Sequence, residues 1–231
     1  MVYSKDGSLS YFIKRFDRYG KGKKYATEDF AQLTGNSRDT KYRFTMEKIV
    51  NVIDEFCTFP AIEKADFFKR VLFCFITGNE DMHLKNFSLI TKGGKTTLTP
   101  VYDFLNSSIA IKNPEEEIAL SLKGKKSNLK KTDFINYYAK ERLSLTDKTI
   151  DKIIGDMYKY LPEWKALVEI SFLSDDMKEK IKCSECEFCN SFRPYGNSRA
   201  SFRCKHPDQH YIFDYFQEHR MSKDPGFLDY G

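Results

Sequence analysis

One stretch limits the architectures open to this chain more than any other: residues 78–106, GNEDMHLKNFSLITKGGKTTLTPVYDFLN. An apolar helical run stops at Gly78, a short polar loop carries Asp81, His83, Lys85 and Asn86, and two β-patterned segments lead on to Asp103. Those segments are Phe87 to Thr91 and Thr96 to Val101, and Lys92-Gly93-Gly94-Lys95 between them is a hairpin signal, because glycine adopts the positive φ that tight hairpin turns demand. A hairpin here returns Asp103 toward Asn86, so two oxygen ligands far apart in sequence can share one hard cation. A carboxylate, a carboxamide five residues on and a second carboxylate beyond a hairpin is a recurring way of holding a hydroxyl nucleophile and Mg²⁺ against a nucleotide. On that reading Asp81 accepts a proton, Asn86 and Asp103 hold the metal and its ATP, and Lys85 neutralises charge on the transferring group. The plainer reading stands beside it: D-x-x-x-x-N arises by chance in polar loops, and Lys85 is then only solvated.

The rest of the chain reads as mostly helical. Ser10 to Phe16 has the alternation of a strand. Thr27 is placed to cap a helix running to Gly35, with Glu28 and Asp29 favoured at its positive end. Ile49, Val52, Ile53 and Phe56 make the stripe of a second helix that stops before Pro60, and Phe67, Phe68, Val71, Leu72, Phe75 and Ile76 give a third helix a broad apolar surface. Beyond Asn106 a lysine-rich loop, Lys123 to Lys131, leads into two helices capped by Thr132 and Thr146, and a last pair runs over Pro162 to Leu173 and Ser174 to Ile181. The expected sum is a helical body with one embedded hairpin.

The loop and its surroundings resemble a known family. NEDMHLKNFSL followed by LTPVYDFLN, with FIKRFDR (Phe12 to Arg18), EDFAQLTG (Glu28 to Gly35) and Lys41-Tyr42 upstream in the same order, is similar to HipA-like serine/threonine kinases, the toxins of bacterial toxin–antitoxin systems. The resemblance covers roughly the first 175 residues. It implies a protein-kinase-like C-lobe with the hinge strand but without most of the N-lobe, which leaves three alternatives: a lobe inactive alone, one part of a split kinase whose phosphate-covering loop is a separately encoded polypeptide, or a degenerate gene product. It also implies nucleotide contacts for Gln32, His83 and Tyr102. Read without it, Gln32 is a solvated helix residue, His83 a structural histidine that holds the loop, and Tyr102 a core tyrosine. The protein substrate it implies is an aminoacyl-tRNA synthetase or the kinase itself, and the partner an antitoxin.

Composition bounds the alternatives. With 231 residues, 41% of them apolar, the chain suffices for one sizeable core and a small appendix, here divided at residue 180. No apolar run approaches a membrane span, and the first ten residues lack the apolar core of a secretion signal, so a cytoplasmic protein is expected. The net charge of +5 is modest; it suits a handler of nucleotide phosphates and is too weak to indicate nucleic-acid binding by the first 180 residues. Cys57 and Cys74 lie in apolar helical patterns and read as buried hydrophobes. Cys183, Cys186, Cys189, Cys204 and His206 crowd the tail. Two close pairs, Cys186/Cys189 and Cys204/His206, make a structural zinc site with Cys183 in reserve, in a segment too poor in aliphatic residues to fold on a core of its own. Two functions from different classes remain: a Mg²⁺-dependent kinase using ATP, or a catalytically inactive lobe that binds protein or nucleic acid through its zinc tail.

Overall fold

A computed structural model of the chain describes residues 2–108, 116–179 and 181. Two short antiparallel ribbons come first: β1 (Val2–Tyr3) with β2 (Leu9–Ser10), and β3 (Arg18–Tyr19) with β4 (Lys23–Lys24). Residues 11–15 between them have no regular structure, so the strand expected over Ser10 to Phe16 is not present. A strand needs a neighbour for its N–H and C=O groups, and among the described residues none runs beside this segment. Its Tyr11, Phe12 and Ile13 are instead 68%, 73% and 61% exposed.

Strand β5 (Ala26–Asp29) leads into one turn of helix, α1 (Phe30–Leu33). The cap is Asp29 rather than Thr27: its carboxylate accepts the Gln32 backbone N–H at 2.8 Å, and the Gln32 side chain accepts the Asp29 N–H at 2.9 Å. This reciprocal pair is a capping box. Thr27 is not the cap because pairing with the strand at Ser88–Lys92 keeps the chain extended through Asp29, so the helix starts only at Phe30. Helix α2 (Met46–Phe56) is capped by Thr45 and buries Met46, Ile49, Val50 and Ile53. Pro60 then opens α3 (Pro60–Ile76) at its first position, where no N–H is needed.

The chain's aromatic face is on α3. Phe67 is fully buried, its ring 4.8 Å from that of Phe87 and 6.3 Å from that of Phe30, and Phe75 lies 4.6 Å from Phe134. Strands β6 (Ser88–Lys92) and β7 (Lys95–Leu98) form the expected hairpin, with Gly93 and Gly94 at φ +54° and +73° in the turn. The hairpin is not solitary: β5 pairs antiparallel with β6, Thr27 opposite Ile90, giving a three-stranded sheet in the order β5-β6-β7. The Glu63 carboxylate on α3 ties the sheet down by accepting the Leu98 N–H at 2.8 Å. Burial pushes the pKa of that carboxyl group up.

Residues 116–131 are not helical. Ile118, Ala119, Leu120 and Leu122 are buried in near succession, which no helical face accommodates, and the Ser121 carbonyl accepts the Met46 N–H at 2.9 Å. A π-helix (Asp133–Arg142) follows without a side-chain cap from Thr132; the Asp133 carboxylate instead accepts the Lys130 N–H. Its Tyr138 is fully buried and donates to the Met46 carbonyl at 3.0 Å. Helix α4 (Asp147–Glu169), capped by Thr146 as expected, runs through Pro162 without a break. An interior proline costs about 3 kcal/mol, and beyond it Trp164 packs edge-on to Phe73 at 5.0 Å, a tertiary contact that periodicity does not reveal. Residues 175–179 are helical again.

Cys57 and Cys74 are buried and unpaired, and burial pushes both thiols up to about 12, so they behave as apolar groups. The expected zinc ligands Cys183, Cys186, Cys189, Cys204 and His206 lie outside the described residues. Among the described residues no cluster of three or more His, Cys, Asp or Glu side chains is disposed to hold a metal, and no helix is long and apolar enough to cross a membrane.

Candidate active site

The loop after α3 is stitched to the segment that returns from the hairpin. Gly78 ends the helix at φ +66°, and a Cβ there would come within 2.8 Å of Ser108 Oγ and 3.0 Å of Asn106 Oδ1. The Ser108 N–H donates to the Gly78 carbonyl at 3.1 Å, and the Glu80 N–H donates to Ser107 Oγ at 2.9 Å. Gly78→Ala therefore meets both a strained backbone and a filled space, and is expected to destabilise the fold by about 1–3 kcal/mol, read as a lower midpoint in urea unfolding.

Asn79, which is 3% exposed, occupies the centre of the site. Its Oδ1 accepts the Asp81 N–H at 3.2 Å and its Nδ2 donates to the Asp103 carbonyl at 3.3 Å. Asn86 Nδ2 donates to the Asp81 carbonyl at 2.9 Å. One connected set of hydrogen bonds thus runs from Asp103 through Asn79 to Asp81 and Asn86. Asp103 sits at φ +58°, a left-handed conformation that is uncommon for a residue with a side chain.

Among the described residues neither Asn86 Oδ1 nor the Asp103 carboxylate accepts a hydrogen bond from the protein, while the rest of the Asn86 amide is committed. Two hard oxygen atoms left without donors suit Mg²⁺, which is bound through one or two protein oxygens with the remaining positions filled by phosphate and water. The residues present therefore fit the metal that the loop pattern implies.

Around this core the other expected site residues fall into different roles. His83 is buried, and its Nε2 lies 2.6 Å from Lys41 Nζ and 3.9 Å from an Asp81 carboxylate oxygen. Burial, reinforced by the Lys41 charge, lowers its pKa and keeps the ring neutral, while the charges of Asp81 and Asp103 pull the other way. The Leu84 N–H donates to the Lys41 carbonyl at 3.3 Å, so Lys41 braces the loop at two points. Lys85 is exposed and its Nζ is 3.4 Å from the Asp29 carboxylate. The Tyr102 hydroxyl donates to the Lys85 carbonyl at 2.9 Å, and its ring stacks on Phe16 at 5.8 Å. Gln32 is engaged in the capping box.

This geometry has counterparts among known proteins. The profile of the HipA-like C-terminal domain matches residues 1–164. The chain belongs to that family. A protein named "Putative kinase Y4dM" from Sinorhizobium fredii is 35% identical over 157 residues, 67% of this chain and 37% of that protein. A protein from Haemophilus influenzae, named as a kinase in the same way, is 31% identical over 111 residues, 43% of this chain and 32% of that protein. The HipA-like chain thus spans about a third of the length of these relatives. In fold it is similar to a solved chain of the Shewanella oneidensis HipA toxin–antitoxin system, crystallised with HipB and operator DNA: TM-score 0.61, 18% identity, 76% of this chain and 46% of that one.

Sequence reading singled out Asp81, His83, Lys85, Asn86, Tyr102 and Asp103, and the fold of this HipA-like chain gathers them around one loop. It did not single out Asn79, although an Asn two residues before the loop carboxylate is the one visible trace of its bridging role. Tyr42 was quoted only as part of a resemblance. Its hydroxyl donates to the Asp81 carboxylate, a contact across 39 positions for which no local pattern exists.

Proposed function

We propose that this chain is the catalytic lobe of a HipA-like kinase, which transfers the γ-phosphoryl group of ATP to a Ser or Thr hydroxyl of a protein. The observation that carries the reading is the hydrogen-bonded set that joins Asp103, Asn79, Asp81 and Asn86. Asp81 takes the proton of the attacking hydroxyl, with positioning supplying most of the acceleration. Asn86 Oδ1 and the Asp103 carboxylate hold Mg²⁺, which when bound neutralises charge on the phosphates. Lys85 adds positive charge beside them, while Lys41 braces the His83 ring and holds the loop in place. Gln32 and Tyr102 line the nucleotide side.

The exposed Tyr11, Phe12 and Ile13 are the surface against which an N-lobe packs. An antitoxin is the other partner, and the substrate is an aminoacyl-tRNA synthetase or the kinase itself, in the cytoplasm. The decisive experiment incubates the full chain with labelled ATP and Mg²⁺, alone and with an added HipA-type N-lobe polypeptide. Transfer that EDTA abolishes is expected; absence of both transfer and nucleotide binding in either mixture would leave the non-catalytic binding module in its place. Metal analysis of the reduced, purified chain is expected to find about one zinc per chain, held by Cys186, Cys189, Cys204 and His206, and a content near zero removes that assignment.

A further inference from the structure

The carboxylate assigned to deprotonate the acceptor already holds a hydroxyl group. Tyr42 directs its phenol at Asp81 Oδ1, and it is the one side chain among the described residues that donates to that carboxylate. The ring is positioned rather than loose. It stands edge-on to the His83 imidazole at 4.9 Å and 82°, Lys41 Nζ lies 4.8 Å from its centroid and Lys126 Nζ 6.0 Å. Burial and the Asp81 carboxylate push the phenol up to about 12, so it keeps its proton and remains a donor at physiological pH. Asp81 itself is largely exposed, with Tyr42 on Oδ1 and no side chain among the described residues donating to Oδ2.

An exposed base beside a bound nucleotide has a built-in liability. Water is far more abundant than any protein hydroxyl. If water attacks, a bond forms between the water oxygen and the γ-phosphorus, the bond from that phosphorus to the β–γ bridging oxygen breaks, and the water proton passes to Asp81. The products are then ADP and inorganic phosphate, and the acceptor is unmodified. We propose that Tyr42 is a resident stand-in for the acceptor: its hydroxyl occupies Oδ1 of Asp81, the oxygen that takes the proton, until an alcohol on a bound polypeptide displaces it, and water, which lacks the binding energy to do so, is refused at that oxygen. This makes Tyr42 a specificity-determining residue for alcohol over water. The inference rests on the kinase reading above and specifies how its site chooses an acceptor.

The test measures two products from the full chain with Mg²⁺ and ATP, in the same N-lobe mixture that supports transfer: inorganic phosphate released without acceptor, and phosphate incorporated into dephosphorylated casein. Tyr42→Phe removes only the hydroxyl and keeps the ring against His83, and an unchanged unfolding midpoint confirms that the fold is retained. The expected result is a rise of tenfold or more in acceptor-independent phosphate release, with the KM for ATP unchanged and incorporation retained. If Tyr42 were only a brace for Asp81, both products would fall together; if it were inert, neither would change; either result overturns the proposal. Asp81→Asn separates this from failure of the underlying reading. Loss of incorporation in Asp81→Asn with flat phosphate release in Tyr42→Phe sinks the stand-in alone, whereas incorporation that survives in Asp81→Asn, or is absent from the unsubstituted chain with and without an N-lobe, sinks both.

Discussion

Asp81→Asn is expected to lower phosphoryl transfer by about 10²–10⁴-fold, the range that a positioned general base contributes, without unfolding the protein. The carboxamide is isosteric and exposed. The backbone N–H and carbonyl of residue 81, which carry the bonds to Asn79 and Asn86, are unaffected by the change. The Tyr42 hydroxyl can still donate to the remaining carbonyl oxygen. What is lost is the anionic site that receives the proton in the proposed transfer. Transfer to a protein acceptor should fall with the KM for ATP little changed, because Asn86 and Asp103 stay in place, and the thermal midpoint should move by no more than an ordinary surface substitution moves it. Retained transfer would assign the proton to another group.

Phe67→Ala is expected to destabilise the fold by about 3–5 kcal/mol, the cost of deleting a fully buried phenylalanine and leaving a cavity. Against a total stability of about 5–15 kcal/mol for a domain, that leaves a marginal protein. The effect should also reach the site. Phe67 packs between Phe30, the first residue of α1, and Phe87, the residue that follows Asn86, and the Phe30 N–H donates to the Phe87 carbonyl at 2.9 Å. A cavity at this point loosens the end of the loop that holds Asn86. Urea denaturation should show a much lower midpoint with an unchanged slope, and residual transfer at low temperature should require more Mg²⁺ than the unsubstituted chain does. A Phe67→Leu variant, which refills most of the volume, should recover part of both.

Local patterns carried much of this molecule. The stripe of α2, the apolar surface of α3, the Thr146 cap and the Gly93-Gly94 turn all depend on neighbours within a few residues, and each formed as its residues specify. The misreadings share a cause as well. Ala26–Asp29 became a strand because β6 lies beside it, Tyr11 to Phe16 did not because nothing described does, and α4 continued past Pro162 where Trp164 meets Phe73. In each case a partner distant in sequence outweighed the local preference.

The same division runs through the site. From the residue order alone came the loop with Asp81, His83, Lys85 and Asn86, the hairpin that reverses the chain, and Asp103 at its far end, since these are matters of spacing and turn chemistry. Only the folded chain decided that Asn79 joins the two carboxylate-bearing segments through its side-chain amide, that burial, with Lys41 beside it, lowers the pKa of His83, and that Tyr42 rests on Asp81. Hydrogen bonds between groups dozens of residues apart leave no period in a sequence; they exist because packing of α2, α3 and the sheet brings those groups within 3 Å or so of each other.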